Sequence, residues 1–411
     1  MASVLRVLSA TRRVLEIPSS SQSQRCWLSN QACLLRRLME EPKSRIKTLL
    51  ASAAEKDSAS DFSWESLVSS LASSSSPDKT HLVLEWKLEK LLKENERDHD
   101  RYCELISLCG KVRNLPLAMQ VFSSMEANGV QPTSAVFNSL IHVCFSSGNL
   151  FTAISLFEIM ESSEGFKPDS DTYDAFMSAF LKSGKTDLMQ AWYSAKKAAG
   201  FDSDIQTYQS LISGCIKLKK YELADMFYKE MVLSGIWPNL PILEYMLEGL
   251  CKRRSSGQVK EFLAMVCGYG WKMSEKMAEM VVGLHIELGK VERLEELLET
   301  LMESDQTSEV LLPVHYGIIR MYAMLDRLDD VEYSVGRMLK QGLSFKHPDD
   351  VERVICSYFR LSEYERLELF LECIKGSYEL TGSTYDLLVA GYRRAGLSDK
   401  LSDMKLDGGS S

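Results

Sequence analysis

The chain has 411 residues, 45% of them apolar and 26% charged, values of a folding sequence that exclude a wholly disordered or collagen-like polymer. At roughly 150 residues per domain, that length fits two or three ordinary domains or one long repeat array and excludes a single plain core. The formal net charge is −9 and is unevenly spread: residues 1–39 hold six Arg (Arg6, Arg12, Arg13, Arg25, Arg36, Arg37) and one acid, Glu16, leaving 42 basic against 56 acidic residues in 40–411, a balance of −14, so any footprint for nucleic acid must be a local basic stripe.

The N-terminal stretch is rich in Arg and Ser, and it places Val4, Leu5, Leu8 and Leu15 near one side of a helix with Arg6, Arg12 and Arg13 off it. This is the composition of an organelle transit peptide over residues 1–35, without the apolar centre of a secretory signal. Arg25-Cys26-Trp27 resembles the Arg-x-aromatic pattern before mitochondrial cleavage sites. The Arg content points to the mitochondrial matrix, with the chloroplast stroma as the alternative; a basic, RNA-binding tail of the mature protein is the other reading of the segment. Residues 36–76 turn to Ser and Ala with short apolar patches, which predicts a linker with one short helix near Phe62–Leu67. Ser76 as N-cap and Pro77 at the first helical position start a capping helix over 77–98, with Leu84, Leu88 and Leu91 on one face.

Ten Cys and six His form no C-x-x-C pair and no zinc signature. Cys109, Cys144 and Cys215 each stand seven residues after an aromatic, on the apolar face of a helix, which predicts buried, reduced thiols. No apolar run approaches the roughly 18 residues of a membrane span, so membrane insertion is not expected.

From residue 99 the chain repeats itself. YCELISLCGKV from Tyr102, FNSLIHVCFSSG from Phe137, YDAFMSAFLKSG from Tyr173 and YQSLISGCIKLK from Tyr208 start 35, 36 and 35 residues apart, each with an i, i+3, i+4, i+7 apolar stripe. A second helix follows: AMQVFSSM from Ala118, AISLFEIM from Ala153, ADMFYKEM from Ala224. Gly148, Gly184 and Gly289 fall where the first helix must stop, and Gly129, Gly200, Gly235 and Gly270 end the second. Pro132, Pro168 and Pro238 block further helix before the next unit. Such a pair cannot bury its stripe alone, so pairs must stack.

The phrases FNSLIHVCFSSGNLFTAISLFEIMESSEGFKPD and TYQSLISGCIKLKKYELADMFYKEMVLSGIWPN resemble pentatricopeptide repeats, of the plant-type organellar P class. The resemblance implies an all-α fold, a right-handed α-solenoid of stacked helix-turn-helix repeats of about 35 residues. We place repeats at 99–133, 134–169, 170–204, 205–239 and 240–274, weaker ones near 275–311, 312–347 and 348–381, and a truncated one from Gly382, eight to nine over 99–405 before a short tail at 406–411. In this family single-stranded RNA lies along the first helices, one base per repeat. By that resemblance the residue after the leading aromatic and the last residue of the repeat read the base: Asn138 with Asp169, a pair expected to prefer uracil, then Asp174 with Asp204 and Gln209 with Asn239. These last two, like Cys103 with Thr133 and Glu244 with Ser274, depart from common code pairs, and Glu279, Glu352 and Asp386 add further acid. The position that sandwiches bases holds Asp100, Ala135, Asp171, Gln206 and Pro241 and forms no apolar clamp. Nine residues after the aromatic, where the family commonly meets phosphate, stand Lys111, Lys182, Lys217, Lys252, Arg360 and Arg394. They read either as a cationic seam for RNA or as ordinary cations answering helix dipoles.

The one H-x-E, His285-Ile286-Glu287, has no C-x-x-C beside it and no other catalytic constellation appears, so no enzyme, metal, cofactor or small-molecule substrate is expected. Asp329-Asp330 and Asp349-Asp350 read as solvated first-turn acids and His285 as a satisfied interior histidine. The expected partner is single-stranded organellar RNA. The alternative is a structural accessory subunit of the mitochondrial ribosome or another organellar protein assembly, favoured by the lost clamp and the acidic body.

Overall fold

The computed structural model describes residues 34–56, 63–73, 77–304 and 306–397. These fall into two compact units divided between Asp202 and Ser203. Every regular element among the described residues is helical. The predicted transit peptide up to residue 33, the Ser76 cap and the C-terminal tail lie outside the described residues; residues 34 and 35, assigned to the transit peptide, are helical and their leucines pack against the core of the cap.

In the first unit, α1 (Ile46–Lys56), α2 (Trp64–Ser73) and α3 (Pro77–Lys93) precede three helix pairs: α4 (His99–Lys111) with α5 (Leu115–Ala127), α6 (Ser134–Ser146) with α7 (Leu150–Ser162), and α8 (Ser170–Lys182) with α9 (Thr186–Ala198). The segment expected to be a linker with one helix therefore holds two, with further helical turns over 34–40. The reason is sparse but well-spaced aliphatics. Ile46, Leu49 and Leu50 in α1 and Leu67 and Leu71 in α2 are buried together with Leu38, Val83 and Trp86, so three short amphipathic pieces share one core where none could bury its stripe alone. Lys87 of α3 binds Glu104 of α4 at 2.6 Å and lies 4.9 Å over the Trp64 ring, fastening this cap to the first pair.

In the second unit, α10 (Ile205–Lys217) to α19 (Tyr364–Ile374) form five pairs, and α20 (Gly382–Ala395) closes the series. The intervening helices are α11 (Tyr221–Leu233), α12 (Leu240–Lys252), α13 (Ser256–Gly268), α14 (Glu275–Leu288), α15 (Val291–Glu303), α16 (Ser308–Met324), α17 (Leu328–Lys340) and α18 (Pro348–Leu361). In both units each first helix packs on the next first helix: α4 on α6 on α8, and α10 on α12 and onward to α20. Within each unit they form a layer, and the second helices cross behind them. Ala118, Ala153 and Ala224 are fully buried at those crossings, with Met125, Met160 and Met231 filling the space beside them. Cys109, Cys144 and Cys215 are free and fully buried on the same stripe, and burial pushes their thiols up to about 12, 11 and 12.

The seventh repeat departs from the expected start at 312. Its first helix begins at Ser308, one turn earlier, and carries Pro313 inside it. Pro is a helix-start signal because its missing N–H matters least in the first turn; here the carbonyl of Thr307 accepts from Val310 and Leu311 and nucleates an extra turn ahead of it. Two other readings change. Asp350 is a first-turn acid but is buried, held by Arg320 at 2.5 Å, while Asp330 and Asp329 are paired with Arg327 and Arg366. His285 is interior, yet its Nδ1 has no hydrogen-bond partner. The bonds that would satisfy it are not offered by the apolar stripe on which it sits.

Candidate nucleic-acid interface

The residue expected to read a base is the fifth of each regular first helix, and the last residue of the repeat is the N-cap of the next one. N-cap duty explains the residue types: Thr133, Asp169, Asp204, Asn239, Ser274 and Thr381 each accept the backbone N–H three residues on, satisfying a donor that the helix itself leaves free. Because neighbouring first helices pack side by side, the fifth residue of one meets the cap of the next.

Asn138 Nδ2 donates to Asp169 Oδ1 at 3.0 Å, and Thr172 Oγ1 donates to Asn138 Oδ1 at 2.7 Å. The asparagine amide is thus fixed in orientation, with one N–H still free, and Asp169 retains its second oxygen. Asn239 Nδ2 donates to Gln209 Oε1 at 2.9 Å. Glu244 accepts from Ser274 Oγ at 2.7 Å and Lys276 Nζ at 2.9 Å. Partial burial works to raise the Glu244 pKa, but those two bonds outweigh it and hold the carboxyl below its usual range. Asp174, whose expected partner Asp204 lies in the other unit, is gripped by the fully buried Lys196 of α9 at 2.7 and 2.9 Å. Sequence reasoning missed Lys196, since nothing in a Lys on a second helix announces that it reaches back to the first.

All six expected phosphate contacts lie in the last turn of a first helix, so the helix-dipole role holds for each whatever else it does. They divide into two groups. Lys111 is paired with Glu65 of α2, Lys252 with Glu248 at 2.6 Å, and Arg360 with Asp326 at 2.6 Å. Lys182, Lys217 and Arg394 are exposed and make no ion pair among the described residues.

The fifth residue and the terminal cation are eight positions apart, so they share one face of the helix with the residue midway between them. This gives rows: Cys103, Ser107 and Lys111 on α4; Asn138, His142 and Ser146 on α6; Asp174, Ser178 and Lys182 on α8; Gln209, Ser213 and Lys217 on α10; Glu244, Glu248 and Lys252 on α12. Each row spans about 12 Å along its helix. The middle residues were overlooked in the sequence, although the i, i+4, i+8 spacing was there to find them.

A helical-repeat protein whose first helices carry polar side chains paired with the next N-cap, and cations in their last turn, defines the class, and comparison supplies the family. Residues 96–145 match the Pentatricopeptide repeat domain, 132–182 the PPR repeat family and 206–236 the PPR repeat. The chain belongs to the pentatricopeptide repeat family. Among curated relatives, "Pentatricopeptide repeat-containing protein PPR5 homolog, chloroplastic" of Oryza sativa subsp. japonica is 34% identical over 22% of this chain and 19% of its own length. The Zea mays protein PPR5, chloroplastic, has the same identity and coverage, and the Arabidopsis thaliana protein At4g39620, chloroplastic, is 33% identical over 23% of this chain and 17% of its own. The matched stretch thus spans about a fifth of the length of these relatives. Of solved structures, the pentatricopeptide repeat protein PPR10 from maize aligns at 16% identity and a TM-score of 0.44 over 90% of this chain and 61% of that one. PPR10 in complex with an 18-nt psaJ RNA element aligns at 17% and 0.33, over 90% and 57%.

Proposed function

We propose that this chain is a non-catalytic organellar RNA-binding protein that lays single-stranded RNA across its first helices and acts by occupancy, in the processing, stability or translation of a transcript. The observation that carries this is the row itself: in α8 and in α10 a half-buried polar residue, a half-buried serine and an exposed, unpaired lysine follow one another on one face of the helix, the order in which a strand would present base, sugar and phosphate. At the Asn138–Asp169 pair the free amide N–H and the free carboxylate oxygen offer one donor and one acceptor. Uracil carries a carbonyl beside its N3–H, the complementary arrangement, which supports the uracil preference assigned to this pair. Gln209 with Asn239 reads a second base by the same logic, while Asp174, already held by Lys196, contributes little to selectivity.

The test is filter retention of single-stranded RNA by the full chain across a salt series. Each lysine–phosphate contact should contribute about 0.7 to the slope of log K against log salt, so Lys182→Glu with Lys217→Glu should flatten that slope by about 1.4. Salt-independent binding, or an unchanged slope in the double variant, would refute the proposal.

The Arg-rich leader supports import into mitochondria, whereas the chloroplastic relatives support the stroma; a fluorescent fusion of the full chain, imaged against markers for both organelles, decides between them. A second reading, an accessory subunit of the mitochondrial ribosome or another organellar assembly, is favoured by the ion pairs that occupy Lys111, Lys252 and Arg360. Co-sedimentation with a ribosomal subunit through a high-salt wash would support it over the first.

A further inference from the structure

Between the C-terminal halves of α6 and α8 the surface opens into a cleft of about 400 Å³. Its polar lining is basic or hydroxylic: His142, Lys182, Lys185 and three serines, with no carboxylate. Its apolar wall includes Phe145, a half-buried ring set edge-on to Phe176 at 5.0 Å, so the packing fixes its orientation. Two clefts of comparable size on the first-helix layer of the second unit differ in kind. One, of about 310 Å³, sets Glu275, Glu279 and Asp350 beside Arg320 and Lys346, and the other, of about 380 Å³, sets Asp349 and Glu352 beside Arg353 and Arg360. Of the three, the α6–α8 cleft alone combines cations and an aromatic ring with no opposing acid.

Its position adds to its chemistry. His142 stands one turn beyond Asn138 on the same face of α6, a rise of about 6 Å, so the cleft begins where the Asn138–Asp169 reading pair ends. His142 lines the cleft, and the crowding of its neighbours, helped by the charge of Lys182, holds its pKa below the usual histidine value; Asp171 opposes this weakly and does not line the cleft. At neutral pH the ring is therefore a neutral N–H donor, and Lys182 and Lys185 supply the charge.

We propose that this cleft seats one nucleotide of the bound strand, its phosphate between Lys182 and Lys185, with the His142 N–H donating to a phosphate or ribose oxygen and Phe145 against the base or sugar. The assignment rests on the RNA-binding reading above and extends it to Lys185, His142 and Phe145. It makes the α6–α8 junction the anchor of the strand.

The experiment uses the full chain and a fluorescein-labelled single-stranded RNA, titrated by anisotropy at several salt concentrations. Lys185→Gln should weaken binding at low salt and flatten the salt slope by about 0.7, one phosphate contact. His142→Phe should weaken binding several-fold with the slope unchanged, because it removes a neutral donor. Lys229→Gln, an exposed lysine on α11, serves as the control for loss of surface charge. Both cleft residues are exposed, so neither substitution disturbs the core. In a second arm, 4-thiouridine-containing RNA should crosslink to peptides covering 142–150 and 178–185. If wild-type protein shows no salt-dependent RNA binding, the functional reading itself fails. If it binds normally while Lys185→Gln matches wild type in affinity and slope, or the crosslinks all fall outside those peptides, the cleft assignment alone is overturned.

Discussion

The two units are built from the same helix pair, yet the faces their first helices expose differ. In the first unit the rows on α4, α6 and α8 contain one acid, Asp174, and Lys196 neutralises it. In the second, α10 keeps the Gln, Ser, Lys order, but α12 carries Glu244 and Glu248, α14 Glu279 and Glu287, α18 Glu352 and α20 Asp386. The buried stripe is constrained alike in both units, because losing an apolar group there opens a cavity in a stack that depends on neighbour packing. The exposed row has no such constraint and records what it meets. A carboxylate on that row either repels a phosphate strand or, like Glu244, Glu248 and Glu287 with Lys276, Lys252 and Arg254, ties up a cation that could meet one, so the rows of the first unit, and separately that of α10, are suited to RNA, and the rows from α12 onward are poorly suited to it.

The sharpest way to break this comparison is to remove a compensating cation. On α16 the corresponding row, counted from the residue after His315, is Tyr316, Arg320 and Met324, and Arg320 is the partner of Asp350, which is only 4% exposed. Arg320→Ala should destabilise the protein by about 3 kcal/mol by stranding a buried charge, and adding Asp350→Leu should restore most of it. Ser178→Ala, at the matching place on α8, should stay within about 0.5 kcal/mol. Urea denaturation followed by circular dichroism measures all three; equal costs for Arg320→Ala and Ser178→Ala would mean that the two rows do not differ in this way.

Next in size is a gain of function. Glu248→Lys with Glu287→Lys gives the acidic rows of α12 and α14 the charge of the first unit, and RNA affinity at low salt should rise about tenfold, with a steeper salt slope. An unchanged affinity would show that the strand never reaches these rows.

A weaker difference is one of pH. His285 and His315 are buried in the second unit, and burial, the largest cause, pushes both below the usual histidine pKa; Arg293 and Lys290 reinforce this at His285 against Glu296. At His315 the bond with Gln341 and the charge of Glu295 oppose it, and Arg337 adds to it. A depressed histidine is neutral in the folded chain while the unfolded chain takes up the proton. Stability is therefore full above the ordinary histidine pKa near 6.5 and falls as pH drops from there toward the lower folded values. The urea midpoint should decrease between pH 7.5 and 5.5, and His285→Gln should flatten that decrease; an identical profile in the variant would exclude His285 as a source.

Much of this was legible in the sequence. The 35-residue interval, the aromatics leading α4, α6, α8 and α10 and the alanines of the second helices are packing signals, and packing is local and periodic. The positions of the paired side chains were also legible, because a fifth residue and an N-cap each have fixed places in a helix. What escaped was pairing across elements: Lys196 reaching Asp174, Glu65 reaching Lys111 and Arg320 reaching Asp350 are contacts between residues 22 to 46 positions apart, and no period announces them. The cap over α1–α3 escaped because its Ser- and Ala-rich composition hides a few aliphatics that become a core only when brought together.

The smallest expected effect concerns how the first helices end. Each passes through a left-handed residue before the second helix. These are Arg113, Gly148 and Gly184 in the first unit and Lys219, Arg254, Gly289, Asp326 and Ser362 in the second, with φ between 54° and 60° at the five that are not glycine. A side chain in that region is disfavoured by about 1 kcal/mol. Gly184→Ala should accordingly destabilise by about 1 kcal/mol, and Lys219→Gly should stabilise by about half as much, since the glycine relieves the strain but loses more freedom on folding. Lys219 is two residues past Lys217, so its replacement also asks whether the α10 row depends on a cation just outside it. A stabilised Lys219→Gly protein with undiminished RNA affinity would confine the contact to the row, whereas a flatter salt slope would extend the strand's path around the helix end.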